Sequence, residues 1–66
     1  MFVNQFLGER EGAQMRAEIH KSNDVYSCKY FINGNMQTEE AFPGKSIYYV
    51  EDAAVNWLQG IKVLNG

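Results

Sequence analysis

The hydrophobic pattern of this chain changes period once, and that change constrains the fold more than any other feature. In residues 13–42 apolar side chains fall mostly at every second position; from Val50 to Ile61 they recur every three or four. A period of two belongs to a half-buried strand, and one near 3.6 belongs to a helix with one apolar face. The switch predicts a sheet followed by a helix that covers it.

The strands read in order. Residues 2–7 (FVNQFL) are apolar on both faces and are expected to form an edge strand. Residues 8–12 (GEREG) bracket three charges between glycines and are expected to form a loop. In residues 13–21, Ala13, Met15, Ala17 and Ile19 share one face, and Gln14, Arg16, Glu18 and His20 share the other. Asn23-Asp24 suits a two-residue hairpin turn, because both residue types tolerate the left-handed backbone such a turn needs. That turn sets Ser22 opposite Val25 and Ala17 opposite Tyr30, a small residue against a large one. Along residues 25–32 (VYSCKYFI), Tyr26, Cys28, Tyr30 and Ile32 then point inward.

Two signals conflict at Asn33-Gly34. A two-residue Asn-Gly turn pairs Phe31 with Met36. Matching the apolar faces instead pairs Ile32 with Met36 across a three-residue loop, which places Met36, Thr38, Glu40 and Phe42 inward. A one-residue slip turns every side chain over. Burial is expected to decide, so the longer loop is favoured, with Glu40 at the sheet margin.

Pro43-Gly44 ends the last strand, since proline has no N–H for a ladder. Residues 46–49 are expected to be an extended linker, and the helix to begin at Val50. Its stripe is Val50, Ala54, Trp57, Leu58 and Ile61, with Glu51 and Asp52 in the first turn near the positive end of the helix dipole. Gly60 is the expected C′ residue, with Ile61 folding back as a cap; a helix running on to Leu64 is the alternative. Ala54, Trp57, Leu58 and Ile61 are the expected core of the helix. The expected architecture is α+β: a three- or four-stranded antiparallel meander with one C-terminal helix across a face, in a single domain over residues 1–66.

Composition narrows the function classes. With 45% hydrophobic and 21% charged residues the chain fits neither a disordered segment nor a membrane protein, and no run approaches a bilayer span. Sixty-six residues make a marginal core, which one Trp, four Tyr and four Phe help to fill. The N-terminus lacks the basic and apolar regions of a signal peptide, and the single cysteine, Cys28, offers no disulfide framework. A cytoplasmic location is the expectation.

Within residues 42–61 (FPGKSIYYVEDAAVNWLQGI) the chain resembles short proteins of marine T4-like cyanophages. The resemblance lies in Pro43-Gly44-Lys45-Ser46, Tyr49-Val50-Glu51-Asp52-Ala53-Ala54, Asn56-Trp57 and Gly60-Ile61, about a third of the chain. It implies a phage-encoded protein acting in a bacterial cytoplasm, and it implies no activity.

No residue set points to an enzyme, a cofactor or a metal. His20 and Cys28 fall on opposite faces of the predicted sheet, too far apart for Cys–His chemistry, and zinc needs three or four ligands. Glu39 and Glu40 point to opposite faces, and Glu51-Asp52 is explained by the helix dipole. The outer sheet face gathers Arg16, His20, Lys29 and Phe31, a basic patch with one aromatic that could meet nucleic acid. Glu18 and Glu39 share that face and the net charge is −2, so a solvated face of mixed charge is favoured over a nucleic-acid site. Tyr48 and Tyr49 cannot both face the core, and Val25, Phe31 and Phe2 or Val3 add exposed apolar surface. A domain this small uses such surface most economically in self-association, a dimer first, or in binding a host protein. The expected function is a non-enzymatic accessory protein, with a nucleic-acid module as the alternative.

Overall fold

Three two-residue turns organise the sheet in the computed structural model, which describes residues 1–60. Glu11-Gly12, Asn23-Asp24 and Asn33-Gly34 all take positive φ, between 52° and 83°. A pair of left-handed residues carries the twist that antiparallel strands need at a tight turn. The strands they join are β1 (Phe2–Arg10), β2 (Ala13–Ser22), β3 (Val25–Ile32) and β4 (Asn35–Phe42), followed by the helix α1 (Ile47–Leu58). The sheet order is β1-β2-β3-β4, all antiparallel, with α1 packed on β1, β2 and β3. This is the expected α+β meander with four strands.

The β2–β3 register is the predicted one, with Ser22 opposite Val25 and Ala17 opposite Tyr30. At β1 the expected loop over residues 8–12 is replaced by strand through Arg10 and a tight turn. Gly12 supplies one left-handed position without cost, and Glu11 accepts the other, which is uncommon for a glutamate. A bulge at Val3 puts Phe2 in register with His20 and Asn4 with Ile19.

The Asn33-Gly34 conflict resolves in a way that neither signal alone describes. The turn is the two-residue one: Ile32 faces Asn35 and Phe31 faces Met36. It is fastened to β2 by Asn33, whose N–H donates to the Gln14 carbonyl at 2.7 Å and whose Oδ1 accepts from the Gln14 N–H at 3.0 Å. One residue further on, Tyr30 faces Thr38, leaving Gln37 as a bulge. Beyond it, Cys28 faces Glu40 and Tyr26 faces Phe42, the register that burial demands. The favoured three-residue loop is therefore wrong at the turn, and Met36 joins Phe31 on the outer face.

The helix begins earlier than expected. Ser46 is its N-cap, with the Ser46 hydroxyl accepting from the Tyr49 N–H at 3.3 Å, so residues 46–49 are not an extended linker. Glu51 and Asp52 lie beyond the first turn, which holds no acidic residue. Gly60 takes the C′ role at φ 81°, and its N–H donates to the Trp57 carbonyl at 3.1 Å. The expected roles of Ile61 and of a helix extended to Leu64 lie outside the described residues.

The core is the layer between sheet and helix: Met15, Ala17, Ile19, Cys28, Tyr30, Phe42, Val50 and Ala54 are buried. Burying Ile19 or Val50 fully contributes roughly 1.5–3 kcal/mol each. Trp57 and Leu58 are half-buried at its edge, Trp57 lying against Tyr30 and Leu58 over Gly8.

Candidate functional site: the open sheet face

Among the described residues the helix covers one face of the sheet and no element covers the other. Strand pairing sorts the outer face into rows across the sheet. One row runs Leu7, Arg16, Phe31, Met36, the next Gln5, Glu18, Lys29, Glu39, and a third Phe2, His20, Ser27, Ala41. All four outer-face residues expected from the sequence, Arg16, His20, Lys29 and Phe31, thus share this surface.

Their surroundings differ from a bare basic patch. The Arg16 guanidinium carbon lies 4.1 Å from the centroid of the Phe31 ring, a cation–π contact that shields the ring to half-buried. Arg16 Nε also lies 2.8 Å from Glu18 Oε2, though its N–H is not aimed for a hydrogen bond. With Nε2 carrying the proton, His20 donates to Glu18 Oε1 at 3.0 Å, and its ring meets Phe2 edge-on at 5.6 Å. Lys29 stands in register between Glu18 and Glu39. Glu18 is the residue that the sequence reading undervalued: at positions 16, 18 and 20 of one strand it sits between Arg16 and His20 and contacts both. The His20 hydrogen bond draws the Glu18 carboxyl below its ordinary value; partial burial opposes this, and the Arg16 charge adds to it. The strict alternation of residues 13–21 was the signal for this grouping.

The apolar ends of the first row are open to solvent, Leu7 being 68% and Met36 54% exposed. Tyr48 and Tyr49 are not on this face; they lie in the first turn of α1. Both are exposed, and Tyr49 also packs edge-on against Phe42 with Lys45 Nζ 4.7 Å from its ring centroid.

The inner face holds the other reactive groups. Cys28 is fully buried, and burial pushes its thiol up to about 11. Burial likewise carries the Tyr30 phenol well above the usual tyrosine range, and its hydroxyl donates to Glu40 Oε1 at 3.4 Å. A thiol so rarely ionised is a poor nucleophile at neutral pH. His20 and Cys28 lie on opposite faces, as their partners Ser27 and Ile19 show. Among the described residues no three His, Cys, Asp or Glu side chains gather as a metal set, and no helix is long and apolar enough to cross a membrane. A groove of about 540 Å³ runs between residues 6–10 of β1 and Val55, Leu58 and Gln59 of α1, with Glu9 and Arg10 as its charged lining residues. No family model, curated protein or solved structure matches the chain.

Proposed function

We propose that this is a small non-enzymatic accessory protein that works by binding protein, itself included, with a dimer as the simplest assembly. The observation that carries this is the state of the outer-face cations. Arg16 is already engaged by Glu18 and Phe31, and Lys29 stands between two carboxylates, while Leu7 and Met36 are open at either end of their row. A face whose charges are balanced and whose exposed ends are apolar suits a protein surface better than a phosphate backbone. The resemblance over residues 42–61 adds a setting: a phage-encoded protein in the cytoplasm of its bacterial host, with a host protein as a further partner.

The second reading is a nucleic-acid-binding module using Arg16, His20, Lys29 and Phe31. Its support is the guanidinium stacked on an aromatic ring beside a second cation. Two measurements separate the readings. Light scattering coupled to size exclusion, run over a range of concentrations, is expected to give a dimer; a strict monomer throughout would sink the self-association part. Titration with single- and double-stranded DNA and RNA at low salt is expected to show no binding. Salt-dependent binding there would replace the first reading with the second.

A further inference from the structure

Resting on the self-association reading, we propose where two copies meet: at the edge of β1 that no strand among the described residues pairs with, as an antiparallel β1–β1 pair about a two-fold axis. The sheets of the two subunits then become one continuous sheet with both helices on the same side.

The two edges of the sheet differ. On β4 the Gln37 bulge breaks the regular edge. Glu39 and Glu40 lie near the middle of that strand, so pairing β4 with itself brings carboxylates together. Bulges and charges of this kind are what keep a strand edge from pairing. β1 carries as many charges and a bulge of its own, but they are placed differently. Its nine residues carry charge at one end alone, at Glu9 and Arg10. Its bulge lies at the other end, at Val3.

The β1 backbone offers outward groups for pairing once the Asn4 side chain, which occupies the Gln5 N–H, is displaced. The Gln5 N–H donates to its neighbour's Asn4 Oδ1 at 2.8 Å, so it points away from β2. Alternation along an antiparallel ladder then aims the N–H and C=O of Leu7 and Glu9 to the same free side. The exposed apolar side chains concentrate there as well. Of the seven large ones among the described residues, Met1, Phe2, Val3 and Leu7 belong to β1 or directly precede it.

The strand is complementary to itself, which selects a second copy as the occupant. In an antiparallel pair centred on Phe6, Gln5 meets Leu7 of the partner subunit and Asn4 meets Gly8 of the partner subunit. Glu9 comes opposite Val3 of the partner subunit, so no like charges face each other.

The test is the assembly state of the full chain and three variants, by light scattering over a concentration series, with circular dichroism to confirm folding. Leu7→Pro removes one outward N–H, a change an edge strand tolerates in the single subunit. Leu7→Lys places a charge at the same edge and covers the case where proline disturbs folding. Met36→Lys is the control, because Met36 ends the same outer-face row at the opposite edge. The expected result is a wild-type dimer, a dissociation constant raised at least about tenfold in the Leu7 variants, and little change in Met36→Lys. A dimer that persists in folded Leu7 variants, or that Met36→Lys weakens equally, overturns β1 pairing while leaving self-association standing. A wild-type monomer at every concentration overturns both.

Discussion

The Trp57 ring lies 4.8 Å from the Tyr30 ring, inclined by 49°, and this contact ties the last turns of the helix to the centre of the sheet. Tyr30 is buried and Trp57 half-buried, so the pair closes the edge of the core. Trp57→Ala is expected to cost about 3 kcal/mol, the low end for a large aromatic because its exposed part contributes less. In a domain of this size that lowers the melting temperature on the order of 10–20 °C. A shift of a degree or two would mean that the helix is not held through this ring.

Most of the fold was legible because two periods dominate the sequence. The alternation of residues 13–21 located the inner and outer faces of β2, and with them the neighbours Arg16, Glu18 and His20. The Asn23-Asp24 turn then gave the β2–β3 register residue by residue. What escaped were local backbone devices that a period does not encode. Pattern reading assumes that strands stay regular, so the turn preference of Asn33-Gly34 and the burial of Phe42 looked incompatible. A bulge at Gln37 satisfies both. The helix start was missed for a related reason: Ile47 belongs on the Val50–Ala54 stripe, and Ser46 before it is a capping residue, but two exposed tyrosines obscured the period. The outer-face residues were identifiable, whereas their mutual neutralisation through Glu18 required side-chain geometry.

The bulge makes a deletion prediction that ordinary strands would not allow. Without Gln37, Met36 and Thr38 become neighbours, and the pairs Phe31–Met36 and Tyr30–Thr38 can follow each other in a regular ladder. Deleting Gln37 should therefore leave the fold intact and shift stability by no more than about 1 kcal/mol. Deleting Ala41 instead turns Phe42, which is 7% exposed, away from the core or drags the register. That should cost about 3 kcal/mol or more. Urea denaturation of both variants decides it; equal losses would mean that the bulge is not the element reconciling turn and core.

Cys28 offers a probe of how tightly sheet and helix close. The side chain is fully buried, and at a pKa of about 11 roughly one thiol in a thousand is ionised at pH 8. Native protein should react with a thiol reagent only as fast as it unfolds, and at the rate of an ordinary cysteine once urea is added. Labelling within seconds under native conditions would show that the helix lifts from the sheet without global unfolding.

Glu18 gives the outer face a defined pH response. Its carboxyl titrates below the ordinary value because the ionised form accepts from His20, with the Arg16 charge adding to the effect against the opposing influence of burial. A depressed folded-state value means that the unfolded chain binds the proton more tightly. The stabilisation is therefore present above the ordinary value of 4.5 and is lost as pH falls through the lower folded one. Glu18→Gln removes this term and leaves the other carboxylates in place. The variant should be less stable than wild type at pH 7, and the gap should narrow at pH 3, where wild type loses what the variant never had. Denaturation curves for both proteins at the two pH values measure the gap directly. A gap of equal size at pH 3 would assign the loss to packing and would remove Glu18 as the charge that organises this face.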